Sequence, residues 1–257
     1  MTNRLRDYVS TFNLLQDRVI LVTGAADGIG RAVASSYAKH AATVVLLDQK
    51  RRKLETLYDE ICDKNWAEPV IVVEDLAAAT EESCQKIALG IANDFGRLDG
   101  LLHNASASNL LTPLENLSLH EWRTVIKVNL EVPYLLTRTL LPLLKASRSA
   151  SVIFTSADVG RKGRAYWGAY GVAYFGIEGL TQIWSAETEV NTSIRFNSLD
   201  PGPVSTGMRS KFYPGETPEI HPKPSDIVSA YLCLMGEDSR HINGRALSLD
   251  SEFNAIA

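Results

Sequence analysis

The sequence predicts a single α/β domain built on a doubly wound, mostly parallel seven-stranded sheet with helices on both faces. Three observations carry that reading. Short, continuously apolar runs alternate with helical patterns from Arg18 onward, and a parallel sheet covered on both faces produces such runs. The first run ends in a glycine-rich turn that opens a helix. A chain of 257 residues, 45% hydrophobic and 22% charged, fits one large α/β domain with a full core. No internal repeat or linker divides it, so one domain is expected over residues 1–257, with 1–16 as an N-terminal extension.

The elements follow in order. Residues 18–23 (RVILVT) are β-rich and run into the glycine turn, which leads a helix over 29–40. Residues 43–48 (TVVLLD) form a second buried strand, followed by a helix over 50–64. A third strand at 70–73 (VIVV) precedes a helix over 80–95, and 100–103 (GLLH) makes a fourth. A long helical pattern covers 119–145, with an interruption expected near Pro133. Strands at 151–155 (SVIFT) and 193–197 (SIRFN) flank a helix over 168–190, and 246–249 closes the sheet. Right-handed crossovers place the ligand crevice of such a sheet at the C-terminal ends of its strands. Residues 203–223 carry Pro203, Pro214, Pro218 and Pro222. An irregular segment of that length inside a compact domain reads as a substrate loop.

Composition excludes several classes. A net charge of −4 gives no surface for nucleic acid, and the basic run 50–53 reads as a solvated helix face. The three cysteines, Cys62, Cys84 and Cys233, show no paired or zinc-binding spacing, so no metal is expected. The N-terminus lacks the apolar core of a signal peptide, and no stretch reaches a bilayer-spanning length. A cytoplasmic protein without membrane contact is the expectation.

Thr23-Gly24-Ala25-Ala26-Asp27-Gly28-Ile29-Gly30 stands between the first strand and the first helix. Gly24 permits the tight turn, Gly28 lets the backbone approach a pyrophosphate, and Gly30 allows close helix–strand packing. The helix N-terminus then faces the phosphates. In this strand–turn–helix setting the motif predicts a Rossmann-type dinucleotide site. Asp48, at the end of the second strand, can accept both ribose hydroxyls and repel a 2′-phosphate. It can equally serve as a helix N-cap. Asp27 adds a second acid, while Arg51 and Arg52 oppose it, so NAD is favoured over NADP.

The T-G-x-x-x-G-I-G turn resembles that of the short-chain dehydrogenase/reductase family, and the likeness continues over about residues 16–250. Asp75-Leu76 resembles the family's adenine-contacting pair. His103-Asn104-Ala105-Ser106 stands where the family writes N-N-A-G, and Asn129 matches the Asn of its fourth helix. Pro201-Gly202-Pro203-Val204-Ser205-Thr206 is similar to the P-G-x-x-x-T that cradles the nicotinamide. The runs from Phe154 to Tyr170 and H-N-A-S resemble a bacterial subgroup of largely uncharacterised short-chain oxidoreductases. The resemblance implies Gly24, Asp27, Gly28, Ile29, Gly30, Asp48, Asp75, Leu76, Asn104, Ala105, Tyr170, Pro201, Gly202, Val204 and Thr206 at the cofactor. It also implies a homodimer or homotetramer and hydride transfer to or from a small carbonyl or alcohol.

The resemblance further implies a Tyr that exchanges the proton, a Ser that hydrogen-bonds the substrate oxygen, a Lys one helical turn after the Tyr, and an Asn in the proton relay. Tyr170 and Asn129 match. The Lys position holds Tyr174, which cannot supply a positive charge, and the Ser position holds Ala157. Ser156 precedes it, and strand alternation points its hydroxyl away unless a local bulge turns it inward, so Ser156 stays a candidate third catalytic residue. Without the Lys a phenol keeps a pKa near about 10, a loss of about 4 kcal/mol where phenolate is needed as base. Two functions stay open: an oxidoreductase with a degraded catalytic set, favouring carbonyl reduction, or an inactive dinucleotide-binding pseudoenzyme serving as sensor, scaffold or partner subunit. His103 reads as structural. Asp158 could pair with Tyr174 or a loop arginine, but a structural or solvent-facing role is the favoured reading. Met208, Phe212 and Tyr213 are candidates to cover the substrate.

Overall fold

The computed structural model describes residues 5–249. Seven strands alternate with helices: β1 (Val19–Thr23), α1 (Gly28–Lys39), β2 (Thr43–Asp48), α2 (Arg51–Asp63), β3 (Val70–Val73), α3 (Glu81–Phe95) and β4 (Gly100–His103). The second half continues with α4 (Leu119–Ile126), α5 (Val132–Lys145), β5 (Ser151–Thr155), α6 (Gly168–Thr188), β6 (Arg195–Asp200), α7 (Gly207–Phe212), α8 (Val228–Met235) and β7 (Ala246–Ser248). The strands lie in the order β3-β2-β1-β4-β5-β6-β7. Every neighbouring pair is parallel. The order reverses between β1 and β4, so the carboxyl ends of these two strands frame the switch-point crevice.

The apolar runs are explained by a core on each face. Ile20 and Val22 of β1 pack with Val44 and Leu46 against α1 and α8. Val19 and Leu21 point the other way, among Val45, Leu101 and Val152, against α3, α5 and α6. No polar face is left on the central strands, hence no alternation in the sequence.

Three expectations are refined. The 119–145 helix is interrupted near Pro133, as expected, and the interruption is a π-helical turn, Lys127–Glu131. Pro133 lies in the first turn of α5, where its missing N–H breaks no bond. The sixth strand starts at Arg195 and runs to Asp200, because Asp200 pairs onward with Ser248 of β7. The 203–223 segment contains a helix, α7, N-capped by the Thr206 side chain. Among the described residues, no helix is long and apolar enough to cross a membrane.

α8 packs against α1, the helix that opens from the glycine turn. Its C-terminus is held by a buried guanidinium: Arg195 donates from Nη1 to Leu234 O (3.1 Å) and Ser239 O (3.0 Å), and from Nη2 to Gly236 O (3.0 Å). A cation at a helix C-terminus satisfies carbonyls that have no partner in the helix. Arg195→Ala strands these buried acceptors, and is expected to lower unfolding free energy by about 3 kcal/mol in urea titration. An unchanged midpoint would remove this guanidinium from the interactions that hold α8.

Candidate functional site

The glycine turn is tight because three backbones meet there. Gly24 and Gly28 have φ of +69° and +51°, values that L side chains rarely adopt. A Cβ on Gly24 would lie 2.8 Å from Ala105 Cα, and one on Gly30 would lie 2.2 Å from Gly24 O. Thr23 locks the same junction, its Oγ1 accepting from the N–H groups of Asn104 (3.0 Å) and Ala105 (3.1 Å). From the other side Thr206 reaches Gly28, its Cγ2 lying 3.4 Å from where a Cβ would stand. The glycine turn, the end of β4 and the 201–206 segment therefore form one crevice. Pro201 and Val204 are buried, and Gly202 turns at φ +70° with its N–H on Asp200 Oδ1 at 2.9 Å. Ile29 is half-buried beside the turn, Leu76 is buried, and Asp75 is exposed, accepting from Ala77 N–H at 2.9 Å.

The acids at the ribose end have separate roles. Asp48 accepts from the N–H of Lys50 (3.0 Å) and of Ala26 (3.4 Å), tying β2 to the glycine turn. It is not the N-cap of α2; Lys50 holds that position with no side-chain bond. Asp27 caps α1 through Gly28 N–H (2.9 Å) and pairs with Lys53 Nζ at 2.5 Å and Lys50 Nζ at 3.8 Å. The Lys53 hydrogen bond is the main cause that holds its carboxyl below the usual range. Asp27 is thus a neutralised charge, and its expected repulsion of a 2′-phosphate is withdrawn. The basic run 50–53 is partly engaged in this pairing.

The candidate catalytic corner lies on α6, in a segment entered through Tyr166 at φ +75° and Gly168 at φ +36°. Tyr170 is buried, its Oη 3.9 Å from Met208 Sδ, and Phe212 packs edge-on at 5.3 Å between ring centroids. Trp167 packs at a tilt against both Tyr170 and Phe212. Met208 and Phe212 of the 203–223 segment therefore cover Tyr170. Tyr213 instead lies under the Arg209 guanidinium at 3.9 Å. The segment is clasped: Ser205 N–H donates to Pro222 O, and Arg209 and His221 converge on Glu216.

Tyr174 lies one turn after Tyr170, with ring centroids 4.6 Å apart. Its hydroxyl donates to Ser106 Oγ at 3.1 Å. Burial first, then the neighbouring Tyr174 phenol, pushes Tyr170 well above the ordinary phenol value; burial also raises Tyr174. Asn129, buried in the π turn, uses both ends of its amide on one residue. It accepts from Ala107 N–H (2.7 Å) and donates to Ala107 O (2.9 Å).

Ser156 is not turned toward Tyr170. Its N–H continues the β5–β6 ladder to Leu199 O at 2.8 Å, so the bulge that would reorient it is missing. Its hydroxyl donates to Glu178 Oε1 at 2.6 Å, and Ser198 Oγ and Arg161 Nε also serve that buried carboxylate. Ser156 is thereby withdrawn as a catalytic candidate. Ala157 is half-buried in the same core as Tyr170 and Tyr174. His103 stacks on Phe154 at 4.9 Å and contacts Thr137 Oγ1, and burial drops its imidazole to about 3. Asp158 pairs with a loop arginine, Arg164, at 2.5 Å.

Sequence reasoning passed over Ser106, Glu178 and Asp200. Asp200 precedes the Pro201-Gly202 turn at the end of β6, and burial pushes its carboxyl up to about 6. Its place before the turn was the available signal. Among the described residues, no cluster of three metal-ligating side chains occurs.

The family model for short chain dehydrogenase matches residues 18–217. The chain belongs to the short chain dehydrogenase family. It is 42% identical over 232 residues to the uncharacterised oxidoreductase YciK of Escherichia coli strain K12, covering 90% of this chain and 91% of that protein. The solved structure of a protein described as a short chain dehydrogenase, from Pseudomonas syringae, is 49% identical with a TM-score of 0.93. It covers 95% of this chain and 99% of its own. Another so described, from Shigella flexneri 2a strain 301 and complexed with NADP, is 40% identical with a TM-score of 0.90, over 93% and 99% of the two chains. The chain is therefore a short-chain dehydrogenase-type oxidoreductase of a family that binds nicotinamide dinucleotides.

Two outcomes follow from this geometry. Gly30→Ala forces a methyl into Gly24 O and is expected to cost 1–3 kcal/mol or so of stability. It should also weaken NADH binding at least tenfold by fluorescence titration, and unaltered binding would show that the turn relaxes freely. Asp200 holds its proton more tightly folded than unfolded, so its contribution to stability declines as pH rises between about 4 and about 6. Asp200→Asn is expected to raise the unfolding midpoint at pH 7 and to flatten that decline in chemical denaturation across pH 4–8.

Proposed function

We propose that this chain reduces a small carbonyl compound with a nicotinamide dinucleotide, using Tyr170 as proton donor. The glycine turn with Asp48, Asn104–Ala105 and the 201–206 segment holds the cofactor. The fit rests on the cradle at Gly24 and Gly30, where no Cβ can stand. When bound, the reduced nicotinamide supplies the hydride. Tyr170 carries the reading, because it is a buried neutral phenol packed against Met208, which follows the 201–206 segment. A phenol held in its protonated form can donate to a developing alkoxide but makes a poor base, so reduction is favoured over oxidation. Substrate enters by displacing Met208 and Phe212, which shield the site from water.

NAD is the favoured cofactor on one acid rather than two. Asp48 stands at the ribose end, and a carboxylate there accepts ribose hydroxyls and repels a phosphate. Lys50 and Lys53 are drawn to Asp27, which leaves them less free to bind a 2′-phosphate. The NADP complex of the Shigella protein supports the opposite preference, and Asp48 is where the two are separated. The pseudoenzyme reading retains support from one observation: neither Ala157 nor Tyr174 supplies the family's Ser hydroxyl or Lys charge.

A single experiment addresses these readings. NADH and NADPH binding and NADH-linked reduction of a carbonyl panel are measured for the parent, Asp48→Ala, and Ala157→Ser with Tyr174→Lys. NADH is expected to bind at least tenfold tighter than NADPH, with Asp48→Ala narrowing the gap. The parent should reduce slowly, and the double substitution should raise alcohol oxidation at pH 7 by tenfold or more. Binding of neither cofactor would sink both readings; binding without reduction would leave the pseudoenzyme.

A further inference from the structure

The loss of the Lys leaves a question about how Tyr170 regains its proton after giving it up. Tyr170 is buried, with the sulfur of Met208, which carries no proton, 3.9 Å from its Oη. Tyr174 packs beside it at a tilt on the same face of α6, as i and i+4 residues do. The Tyr174 phenol and the Ser106 hydroxyl are the hydrogen-bonding neighbours of Tyr170. The Tyr174 hydroxyl in turn bonds Ser106 Oγ, and Ser106 is half-buried, nearer to solvent than either phenol. The three hydroxyls thus run from the reacting corner outward. Ser106 occupies the last position of the H-N-A-S segment, where a glycine would offer no hydroxyl.

The position of Ser106 is not accidental to the fold. Asn129 grips both the N–H and the carbonyl of Ala107, the next residue. That two-point contact fixes the strand exit after β4 and with it the Ser106 side chain.

Resting on the reductase reading above, we propose that Tyr174 and Ser106 form a hydroxyl relay that returns a proton to Tyr170. Per carbonyl reduced, the carbonyl carbon gains a hydride from the reduced dinucleotide and its oxygen gains the Tyr170 proton. As the proton moves, the Tyr174–Ser106 hydrogen bond reverses from its resting sense. The Tyr174 hydroxyl turns to reprotonate the Tyr170 phenolate, Ser106 O–H reprotonates Tyr174, and water reprotonates Ser106. The balance is one solvent proton consumed and one hydride transferred. Burial raises both phenols, so each rests in its protonated form between turnovers. Asp200 is the carboxylate whose charge reaches both phenols. Tyr174 and Ser106 act through Tyr170 and need not touch substrate.

The test uses Tyr174→Phe, Ser106→Ala and Ser106→Thr in the full chain, with ethyl benzoylformate and NADH as probes. The first two are expected to lower kcat at least tenfold with KM within twofold, and to change the solvent isotope effect on kcat. Ser106→Thr should restore most of the rate. Carbon NMR of protein labelled at tyrosine Cζ reads the same chain without turnover. Tyr174→Phe should move the Tyr170 signal, and Ser106→Ala the Tyr174 signal. Variants with the parent's kcat and isotope effect would overturn the relay and leave the reductase reading intact. A parent inert toward the probe would count against the reductase reading. The NMR signals then decide the relay: unmoved signals overturn it, and coupled shifts support it.

Discussion

The site depends on how closely three backbones approach at the switch point between β1 and β4. Gly30 lies so near Gly24 O that no side-chain carbon fits, and Gly24 is nearly in contact with Ala105. Thr23 closes the junction by accepting two N–H groups from the segment after β4. These contacts set the start of α1, and so the direction in which its first, unpaired N–H groups point. They also set where the chain leaves β4, and therefore where Ser106 and Ala107 stand. Cofactor cradle and hydroxyl cluster are two consequences of one packing constraint.

A second constraint acts from α6. Tyr170, Tyr174 and Glu178 succeed one another at four-residue intervals, so they share a face directed at the sheet ends. Glu178 is buried too, and its carboxylate is surrounded by Ser156, Ser198 and Arg161. A buried carboxylate without such donors costs several kcal/mol, which explains why the Ser156 hydroxyl turns to it rather than to Tyr170. The same network holds the 156–161 segment against β6 and keeps Ala157 beside the phenols.

Much of this was legible in the sequence because it is local. The glycine turn, the strand runs and the order of helices follow from spacing within a few residues. Tyr170 and Asn129 were found from family motifs, and Met208 and Phe212 from the irregular loop that carries them. What escaped was pairing across distance. Tyr174 meets Ser106 from 68 residues away, and Asp27 meets Lys53 from the far side of β2. Asp27 shows the consequence: read alone it is a free acid, and paired with Lys53 it is a capping group with little charge to project. Ser156 shows the converse, where strand alternation pointed correctly and only its partner was hidden. The interruption in the 119–145 helix was legible near Pro133, but not its form, the π turn that carries Asn129.

The exchange of a cation for a phenol at position 174 changes what the corner can hold. A buried ammonium needs partners, water or a carboxylate close by, because its desolvation is costly. A phenol needs only one hydrogen bond, and Tyr174 has it in Ser106. The corner can therefore close under apolar groups, and Trp167, Phe212 and Met208 do close it. Closing it raises both phenols further, through lost hydration. Each step strengthens the next: an uncharged neighbour permits a drier site, and a drier site holds Tyr170 more firmly in its protonated form. A corner built this way does not hold a resting phenolate near neutral pH, but it keeps a proton ready for an oxygen that develops negative charge. On the proposed reductase reading the phenol at position 174 directs the chemistry toward donation, and the hydroxyls behind Tyr170 are the groups able to renew it.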